Sequence, residues 1–183
     1  IKHAKKMLGI GRAGVGVDNI DVDAATQNGI AVVNAPTGNT IAAAEHAFAL
    51  MMSLARNIPQ ADASMRKGEW TRSKFTGVEL RNKTLGIVGL GRVGSEVATR
   101  ARAFQMNILA FDPYVSNERA RSLGVEAVPL DRLLSESDFI SIHTPLTAGT
   151  KSLIGEDEFK ILKPGVRIIN AARGGLVDEE LLH

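Results

Sequence analysis

The sequence predicts an α/β protein built around a doubly wound parallel sheet. Three observations carry this prediction: short apolar runs rich in Val and Ile recur from residue 84 onward, stretches with helical spacing separate them, and a glycine-rich loop follows the first run. Buried parallel strands are apolar on both faces, and helical connections between them form right-handed crossovers. The predicted strands are Thr84–Gly89, Asn107–Phe111, Val125–Val128, Asp138–Ile142 and Val166–Asn170.

Residues 1–36 predict a smaller unit of the same kind, which we expect to be part of a second domain. Its predicted elements are a strand at Met7–Ile10, a helix at Val22–Gln27 and a strand at Ile30–Asn34. Residues 37–183 are expected to form the larger domain, truncated at its C-terminal end. Leu176–Leu182 begins like a helix but stops after about one turn, which is too short to be stable alone.

A long apolar helix is predicted where the two domains join. Thr40–Arg56 is rich in Ala and apolar on nearly every side except at Glu45 and His46, so we expect burial on more than one face, between domains or subunits. A second helical pattern, Ile58–Gly68, opens with Pro59, and the stretch that follows it is less regular.

Composition excludes several classes of function. The 183 residues contain no cysteine, which rules out disulfides and thiolate metal sites and fits the cytoplasm. No run reaches the roughly 18 apolar residues of a membrane span, and no His, Asp or Glu spacing predicts a metal site. The net charge of +2 does not favour nucleic acid. A local excess of basic residues between Arg66 and Lys83 suggests a small anionic partner.

The pattern G-x-G-x-x-G occurs twice, and only Gly89–Gly94 has the context of a dinucleotide-binding (Rossmann) loop. It follows a predicted strand, opens a predicted helix at Val93–Ala103, and precedes an acidic residue, Asp112, by 18 residues. In that context Gly89 makes the tight turn, Gly91 lets the backbone approach a pyrophosphate, and Gly94 allows close packing of helix on strand. The helix N-terminus favours the bound anion.

Asp112 predicts a preference for NAD over NADP. It closes the strand Asn107–Phe111, where its carboxylate can accept hydrogen bonds from both ribose hydroxyls, whereas a 2′-phosphate would meet like charge. The alternative is an ordinary glycine turn with Asp112 capping the chain before Pro113.

The first match, Gly9–Gly14, is not expected to bind a cofactor, because no helix starts there and no acidic residue follows at the required distance. Its backbone N–H groups could form an anion-binding nest in which Arg12 adds a charged fork. A tight turn between domains is the alternative.

Residues just after the strands should line one crevice, because ligands of open α/β sheets bind at the carboxyl ends of the strands. These residues are His143–Pro145 and Ala171–Gly175. Arg173 could hold a carboxylate and polarise the neighbouring carbonyl for hydride transfer, with a surface ion pair as the alternative. From the residues alone His143 is the best candidate proton donor, and His46 is expected to be structural.

Five segments together resemble the D-isomer-specific 2-hydroxyacid dehydrogenases, over essentially the whole chain. They are Gly11–Asp21, Asn34–Thr40, Gly89–Gly94, His143–Leu146 and Asn170–Glu179. The resemblance implies a Rossmann cofactor domain beside part of a flavodoxin-like substrate domain. It also implies an oxidoreductase that transfers a hydride between NAD and a D-2-hydroxyacid. The implied NAD contacts are Val15, Arg92, Val93, Asp112, Thr144, Ala171, Ala172 and Arg173, with Arg173 as the catalytic arginine.

Trp70–Phe75 resembles the branch of this family that acts on phosphoglycerate. By that resemblance Arg72 would help bind the substrate phosphate with Arg12 and Asn39, in a homodimer or homotetramer. The implied reaction is oxidation of 3-phospho-D-glycerate to 3-phosphohydroxypyruvate in serine biosynthesis. The alternatives are a glyoxylate or hydroxypyruvate reductase and a non-catalytic NAD-responsive binding module.

The resemblance also changes the role expected for His143. In the family this histidine belongs to the cofactor loop, and the proton-transferring His and its partner Glu are expected downstream of the last residue here. We therefore expect this segment to bind NAD weakly and not to turn over by itself.

Overall fold

The computed structural model describes residues 1, 3 and 6–182. Within them the chain forms two compact units, residues 1–42 and residues 43–183. His183 and residues 2, 4 and 5 lie outside the described residues.

The first unit contains a parallel pair of strands with one connecting helix. Its elements are β1 (Gly9–Arg12), α1 (Val22–Gln27) and β2 (Ala31–Asn34). Asp21 caps α1 by accepting a hydrogen bond from the Ala24 N–H at 2.8 Å. The prediction of a strand at Met7–Ile10 was wrong by two residues. Gly9 is the first residue paired with β2, and Leu8 before it remains 86% exposed.

The second unit contains a five-stranded, entirely parallel sheet, which confirms the predicted fold class. Its strands are β3 (Thr84–Val88), β4 (Asn107–Phe111), β5 (Glu126–Ala127), β6 (Phe139–Ile142) and β7 (Arg167–Asn170). Their order across the sheet is β5-β4-β3-β6-β7. The chain moves outward from β3 to one edge and then returns to build the other, so the topology reverses between β3 and β6. Ligands of such sheets bind at this reversal.

Helices cover both faces of this sheet. The α-helices that follow α1 in the described residues are α2 (Thr40–Arg56), α3 (Ile58–Arg66), α4 (Arg92–Ala103), α5 (Asn117–Ser122), α6 (Leu130–Glu136) and α7 (Glu156–Ile161). One apolar cluster joins α2 and α4 to Ile87 and Phe139, and another joins α6 to Val88 and Ile140. Because neighbouring residues of a strand face opposite sides, β3, β4, β6 and β7 each contribute to both clusters. Within the described residues, no helix is both long and apolar enough to cross a membrane.

Two predicted helix boundaries were wrong. The helix expected from Leu176 is an extended segment at its start, because Val177 forms a parallel bridge with Ile154 and both side chains are buried. Only Glu179–Leu182 forms a short 3₁₀ helix. Helix α3 ends at Arg66 rather than Gly68, since Gly68 adopts a φ of 76° that the helix cannot continue.

Within this single chain helix α2 is buried on one face, and the expected burial of a second face against another subunit stays a prediction. Ala44, Phe48 and Met51 lie on its buried side. Leu50 and Leu54 project elsewhere and remain 41% and 43% exposed.

Candidate functional site

The carboxyl ends of four strands lie in one row across the sheet. The register aligns Phe111 of β4, Val88 of β3, Ile142 of β6 and Asn170 of β7. Asp112, Gly89, His143 and Ala171 follow these residues directly. The strand-end residues singled out in the sequence therefore emerge from one edge of the sheet, as expected.

Gly89 makes the turn that leaves β3. Its φ is 95°, and a side chain there would place Cβ 2.9 Å from the carbonyl carbon and oxygen of His143 and from Cγ2 of Thr144. Only glycine therefore fits this position. The same contacts place the end of β6 against the start of the glycine loop.

Gly91 and Gly94 have different surroundings. A Cβ on Gly94 would collide with the carbonyl oxygen of Gly89 and lie 3.2 Å from Cγ2 of Ile87, so α4 packs directly on β3. A Cβ on Gly91 would meet no atom within 4 Å among the described residues. The backbone of Gly91 is therefore open to solvent at the N-terminus of α4. Arg92 next to it is exposed, and Val93 packs against the first apolar cluster.

Two backbone donors hold the carboxylate of Asp112. Its Oδ2 accepts a hydrogen bond from the Leu90 N–H and its Oδ1 accepts one from the Tyr114 N–H, each at 2.9 Å. Leu90 lies between Gly89 and Gly91. Asp112 therefore closes a local turn around Pro113 and also contacts the glycine loop.

His143 is held in its neutral form. Its Nε2 lies 2.8 Å from Ser141 Oγ, and burial lowers the pKa of its imidazole from 6.5 to about 4. Such a group is uncharged near neutral pH and is poorly suited to donate a proton there. This observation argues against His143 as the proton donor suggested by the residues alone.

Thr144 presents a buried hydroxyl to the same region. Its Oγ1 has no hydrogen-bond partner in the part of the chain that the structure describes. Buried polar atoms in folded proteins are generally paired, so an unpaired one at a strand end is suited to a ligand.

Asn170 braces the loop that carries Arg173. Its Nδ2 donates to the Arg173 carbonyl oxygen at 2.8 Å, and its Oδ1 accepts from the Ala172 N–H at 3.1 Å. The Arg173 guanidinium donates to the Ala172 carbonyl oxygen at 2.8 Å, and the side chain is exposed. Sequence reasoning did not assign a role to Asn170, although a polar residue that ends an apolar strand was a usable signal.

Arg72 begins a 3₁₀ helix, Arg72–Phe75, in the basic segment. A buried hydroxyl holds the chain before it: Ser64 Oγ lies 3.1 Å from Glu69 Oε2 and 3.2 Å from Thr71 Oγ1. Ser64 is only 7% exposed, whereas Arg72 is exposed. The exposed Arg72 side chain therefore projects from a segment that the Ser64 contacts hold in place.

The other three predicted site residues lie in the first unit. Arg12 ends β1 and donates to the Ala13 carbonyl oxygen at 3.2 Å. The Val15 carbonyl oxygen accepts from Asn34 Nδ2 at 2.7 Å. Asn39 is exposed just before α2. Since Gly9–Arg12 is a strand, the first glycine match does not open a helix.

These features fit a dinucleotide. Gly91 leaves the N-terminus of α4 open, where a diphosphate could bind, the Asp112 carboxylate could accept hydrogen bonds from a ribose, and Thr144 offers an unpaired hydroxyl. No cluster of three or more His, Cys, Asp or Glu residues suited to a metal ion is present among the described residues.

Comparison with known families gives the same assignment. Residues 48–183 match the family model described as D-isomer specific 2-hydroxyacid dehydrogenase, NAD binding domain. The chain belongs to this family. It is 60% identical over all its 183 residues to a D-3-phosphoglycerate dehydrogenase of Archaeoglobus fulgidus, of which it covers 35%. It spans about a third of the length of the curated relatives that it matches.

Solved structures of two enzymes share the fold. A formate dehydrogenase from Staphylococcus aureus in complex with NAD superposes with a TM-score of 0.90 at 36% identity, covering 100% of this chain and 55% of that one. An acyclic imino acid reductase in complex with NADPH and D-Arg gives a TM-score of 0.86 at 36% identity, covering 95% and 56%. One of these structures holds NAD and the other NADPH.

Proposed function

We propose that this chain is the cofactor-binding part of an NAD-dependent D-2-hydroxyacid dehydrogenase whose substrate is 3-phospho-D-glycerate. The observation that carries the proposal is the Asp112 carboxylate, held at the end of β4 and bonded to the Leu90 N–H beside the bare Gly91 backbone. In this position it can accept from the adenosine ribose hydroxyls and would repel a 2′-phosphate. We therefore assign NAD rather than NADP.

The remaining cofactor contacts follow from the strand ends. The backbone of the glycine loop and the first turn of α4 would hold the diphosphate, and the residues after β6 and β7 would flank the nicotinamide half. The proposed contacts are Val15, Gly89, Gly91, Arg92, Val93, Gly94, Asp112, Thr144, Ala171, Ala172 and Arg173. When bound, NAD supplies a hydride acceptor for C2 of the hydroxyacid.

Arg173 is the proposed catalytic residue of this chain. Its planar guanidinium can bind the substrate carboxylate in a bidentate manner and polarise the carbonyl oxygen that forms at C2. The two hydrogen bonds between the Asn170 side chain and this loop, one donated and one accepted, would keep the guanidinium at the edge of the sheet. We assign no proton acceptor among the described residues.

Substrate choice is proposed from the basic side chains. Arg72, Arg12 and Asn39 would bind the phosphate group, because guanidinium groups pair well with phosphate and an amide adds a neutral donor. The 53–60% identity to relatives named D-3-phosphoglycerate dehydrogenase supports the phosphorylated substrate over glyoxylate or hydroxypyruvate. The product would be 3-phosphohydroxypyruvate, at the start of serine biosynthesis.

A thermal titration of the chain with NADH and with NADPH tests the cofactor assignment. At about 100 times its dissociation constant, a ligand that binds only the folded state adds roughly 2.7 kcal/mol to the free energy of unfolding. We expect this gain with NADH and little with NADPH. Equal gains would contradict the role given to Asp112, and no gain with either would contradict NAD binding by these residues.

Turnover by the natural protein that carries this sequence tests the activity. We expect NAD reduction with 3-phospho-D-glycerate and a much lower kcat/KM with D-glycerate. Equal rates would favour a hydroxypyruvate or glyoxylate reductase. Cofactor binding without turnover on any 2-hydroxyacid would favour a non-catalytic, NAD-responsive module.

We also propose the wider organisation. Residues 1–36 would belong to the substrate domain and residues 37–183 to the cofactor domain. The protein would be a cytoplasmic homodimer or homotetramer. Exposed apolar side chains on α2 and α3, including Leu54 and Ile58 at 43% and 49%, support assembly.

A further inference from the structure

Carboxylates from two neighbouring strands hold β3 at both of its ends. At the start, Asp138 next to β6 accepts a hydrogen bond from the Thr84 N–H at 2.9 Å. Just past the other end, Asp112 after β4 accepts one from the Leu90 N–H, also at 2.9 Å. The first bond lies at the amino end of β3, where no ligand is expected to bind. The second lies in the middle of the glycine loop.

The glycine loop needs an external support because its own residues restrict it weakly. Gly89 and Gly91 have no Cβ, and such residues lose more backbone freedom on ordering than any others. Leu90 between them is 4% exposed, so its N–H is shielded from solvent. The Asp112 carboxylate offers a charged acceptor to this buried donor, and such bonds are stronger than neutral ones.

We propose that Asp112 is a positioning residue for the glycine loop as well as the ribose acceptor. By holding the Leu90 N–H it sets the backbone of Gly89–Gly91 in the conformation that receives the diphosphate, before any cofactor arrives. This inference rests on the proposed NAD function for its ligand, although the loop contact itself is independent of it. The Tyr114 N–H, bonded to the other oxygen at 2.9 Å, keeps the carboxylate oriented.

One consequence is that Asp112 cannot be replaced cleanly to change cofactor preference. Two N–H donors, from Leu90 and Tyr114, face its two oxygens. Asparagine has a single oxygen, so its amide N–H₂ must face one of these donors. Removing the negative charge to admit a 2′-phosphate would therefore also loosen the diphosphate loop.

Combining one substitution in the protein with one change in the ligand separates the ribose-binding role of Asp112 from its loop-positioning role. Dissociation constants are measured for the unmodified chain and for Asp112→Ala with NADH and with its analogue lacking both adenosine ribose hydroxyls. If Asp112 only binds the ribose, Asp112→Ala leaves the dissociation constant of the analogue unchanged. We expect a loss of about tenfold or more to remain with the analogue. Equal dissociation constants of the analogue for the unmodified chain and for Asp112→Ala would overturn the proposal.

A measurement without ligand keeps this result distinct from a failure of the proposed function. Amide hydrogen exchange is followed at Leu90 and at Thr84 by NMR. We expect Asp112→Ala to speed exchange at Leu90 by about tenfold or more, with Thr84 unchanged, and Asp112→Asn to give a smaller increase. Unchanged Leu90 exchange would refute the loop contact even if NADH binds. Failure of the unmodified chain to bind NADH would refute the cofactor assignment alone.

Asp138→Ala is the matched control, because it removes the same kind of carboxylate from the other end of β3. We expect faster exchange at Thr84 and lower thermal stability, with the NADH dissociation constant within about twofold of the unmodified value. If this variant weakened NADH binding as much as Asp112→Ala, the effect of Asp112 would be a general one on the sheet, and the positioning role would be rejected.

Discussion

Ser141 Oγ and His143 Nε2 lie 2.8 Å apart at the carboxyl end of β6. The two side chains are on the same face of the strand, two residues apart, and Ser141 is 2% exposed. The buried hydroxyl therefore fixes one ring nitrogen of an imidazole whose pKa burial lowers to about 4. His143 is thus a neutral part of the proposed cofactor crevice.

The first prediction is a loss of stability in mild acid that depends on His143. Between its ordinary pKa of 6.5 and about 4 the unfolded chain binds a proton that the folded chain does not. The free energy of unfolding should therefore fall as pH drops through this window, by about 1–3 kcal/mol, and this loss should level off below it. Urea unfolding at several pH values from about 7 down to about 4 measures the slope.

The control is His143→Asn, which retains all other titrating groups. Its slope in the same window should be smaller than that of the unmodified chain by the His143 contribution. Asp138 does not confuse the result, because its pKa is lowered from 3.8 and its contribution is lost only in stronger acid. Burial alone would raise the Asp138 pKa, but hydrogen bonds from Lys163 and Thr84 outweigh it. Identical slopes for the variant and the unmodified chain would show that His143 is not buried neutral.

The second prediction separates two glycines of one loop. Gly94→Ala should destabilise the fold by roughly 2–3 kcal/mol, since its methyl group collides with the Gly89 carbonyl oxygen. Gly91→Ala should cost less than about 1 kcal/mol, because nothing lies within 4 Å of the new methyl group among the described residues. Its effect should instead be on NADH, with affinity reduced about tenfold or more by obstruction of the diphosphate. Denaturant unfolding and NADH titration of both variants provide the measurement. Unaltered NADH binding by Gly91→Ala would exclude this loop as the diphosphate site.

The sequence was sufficient to predict the sheet but not every helix. Apolar runs at β3, β4 and β6 and the glycine loop predicted the parallel core, because these features repeat within short stretches of chain. Helices α5 and α6 were not located, although α1 is equally short and was predicted with its observed bounds. The extended path of Leu176 and Val177 depends on pairing with Ile154, a contact across more than twenty residues that no local pattern contains.

The candidate site divides in the same way. Residue types at strand ends, such as Asp112 and Arg173, could be selected from their position alone. The groups that hold them could not, because each is a tertiary contact. The Leu90 N–H lies 22 residues from Asp112, and only the pairing of β3 with β4 brings them together.

The third prediction concerns the substrate phosphate. In the natural protein, Arg72→Ala should raise KM for 3-phospho-D-glycerate by about 10–100-fold, the usual cost of removing a charge-assisted contact. Activity on D-glycerate should change little, since it lacks the phosphate. Lys74→Ala is the control, because Lys74 lies on the same 3₁₀ helix and its replacement by Ala removes the same positive charge. If both variants raised KM for 3-phospho-D-glycerate equally, Arg72 would act through the general positive charge of this segment and not through a specific contact with the phosphate.

The fourth prediction concerns assembly. Leu50, Leu54, Ile58 and Met65 on α2 and α3 are 41%, 43%, 49% and 54% exposed. Charged residues are depleted from the cores of subunit interfaces, so Leu50→Glu combined with Leu54→Glu should shift the natural protein toward monomer. Light scattering after size-exclusion chromatography measures the mass. Ile161→Glu, at a residue 42% exposed on α7, should leave the mass unchanged. An unaffected oligomer in the double variant would place the interface elsewhere.

The last prediction is that Asn170 acts through Arg173. Asn170→Ala removes both the bond to the Arg173 carbonyl oxygen and the bond from the Ala172 N–H, so the guanidinium would no longer be held in place. In the natural protein kcat should fall by about 10–100-fold, because small displacements of a catalytic group are costly. KM for NAD should change little. Asn170→Asp keeps the acceptor for Ala172 but loses the donor to Arg173, and should be intermediate.

A double variant makes the test decisive. In an Arg173→Ala background the Asn170→Ala substitution should have almost no further effect on kcat, because the group that it positions is gone. A full additional loss in that background would mean that Asn170 contributes independently, through the fold or through its own contact with ligand. Thermal unfolding of each variant distinguishes these two cases, since a role in the fold would lower the melting temperature whether or not Arg173 is present.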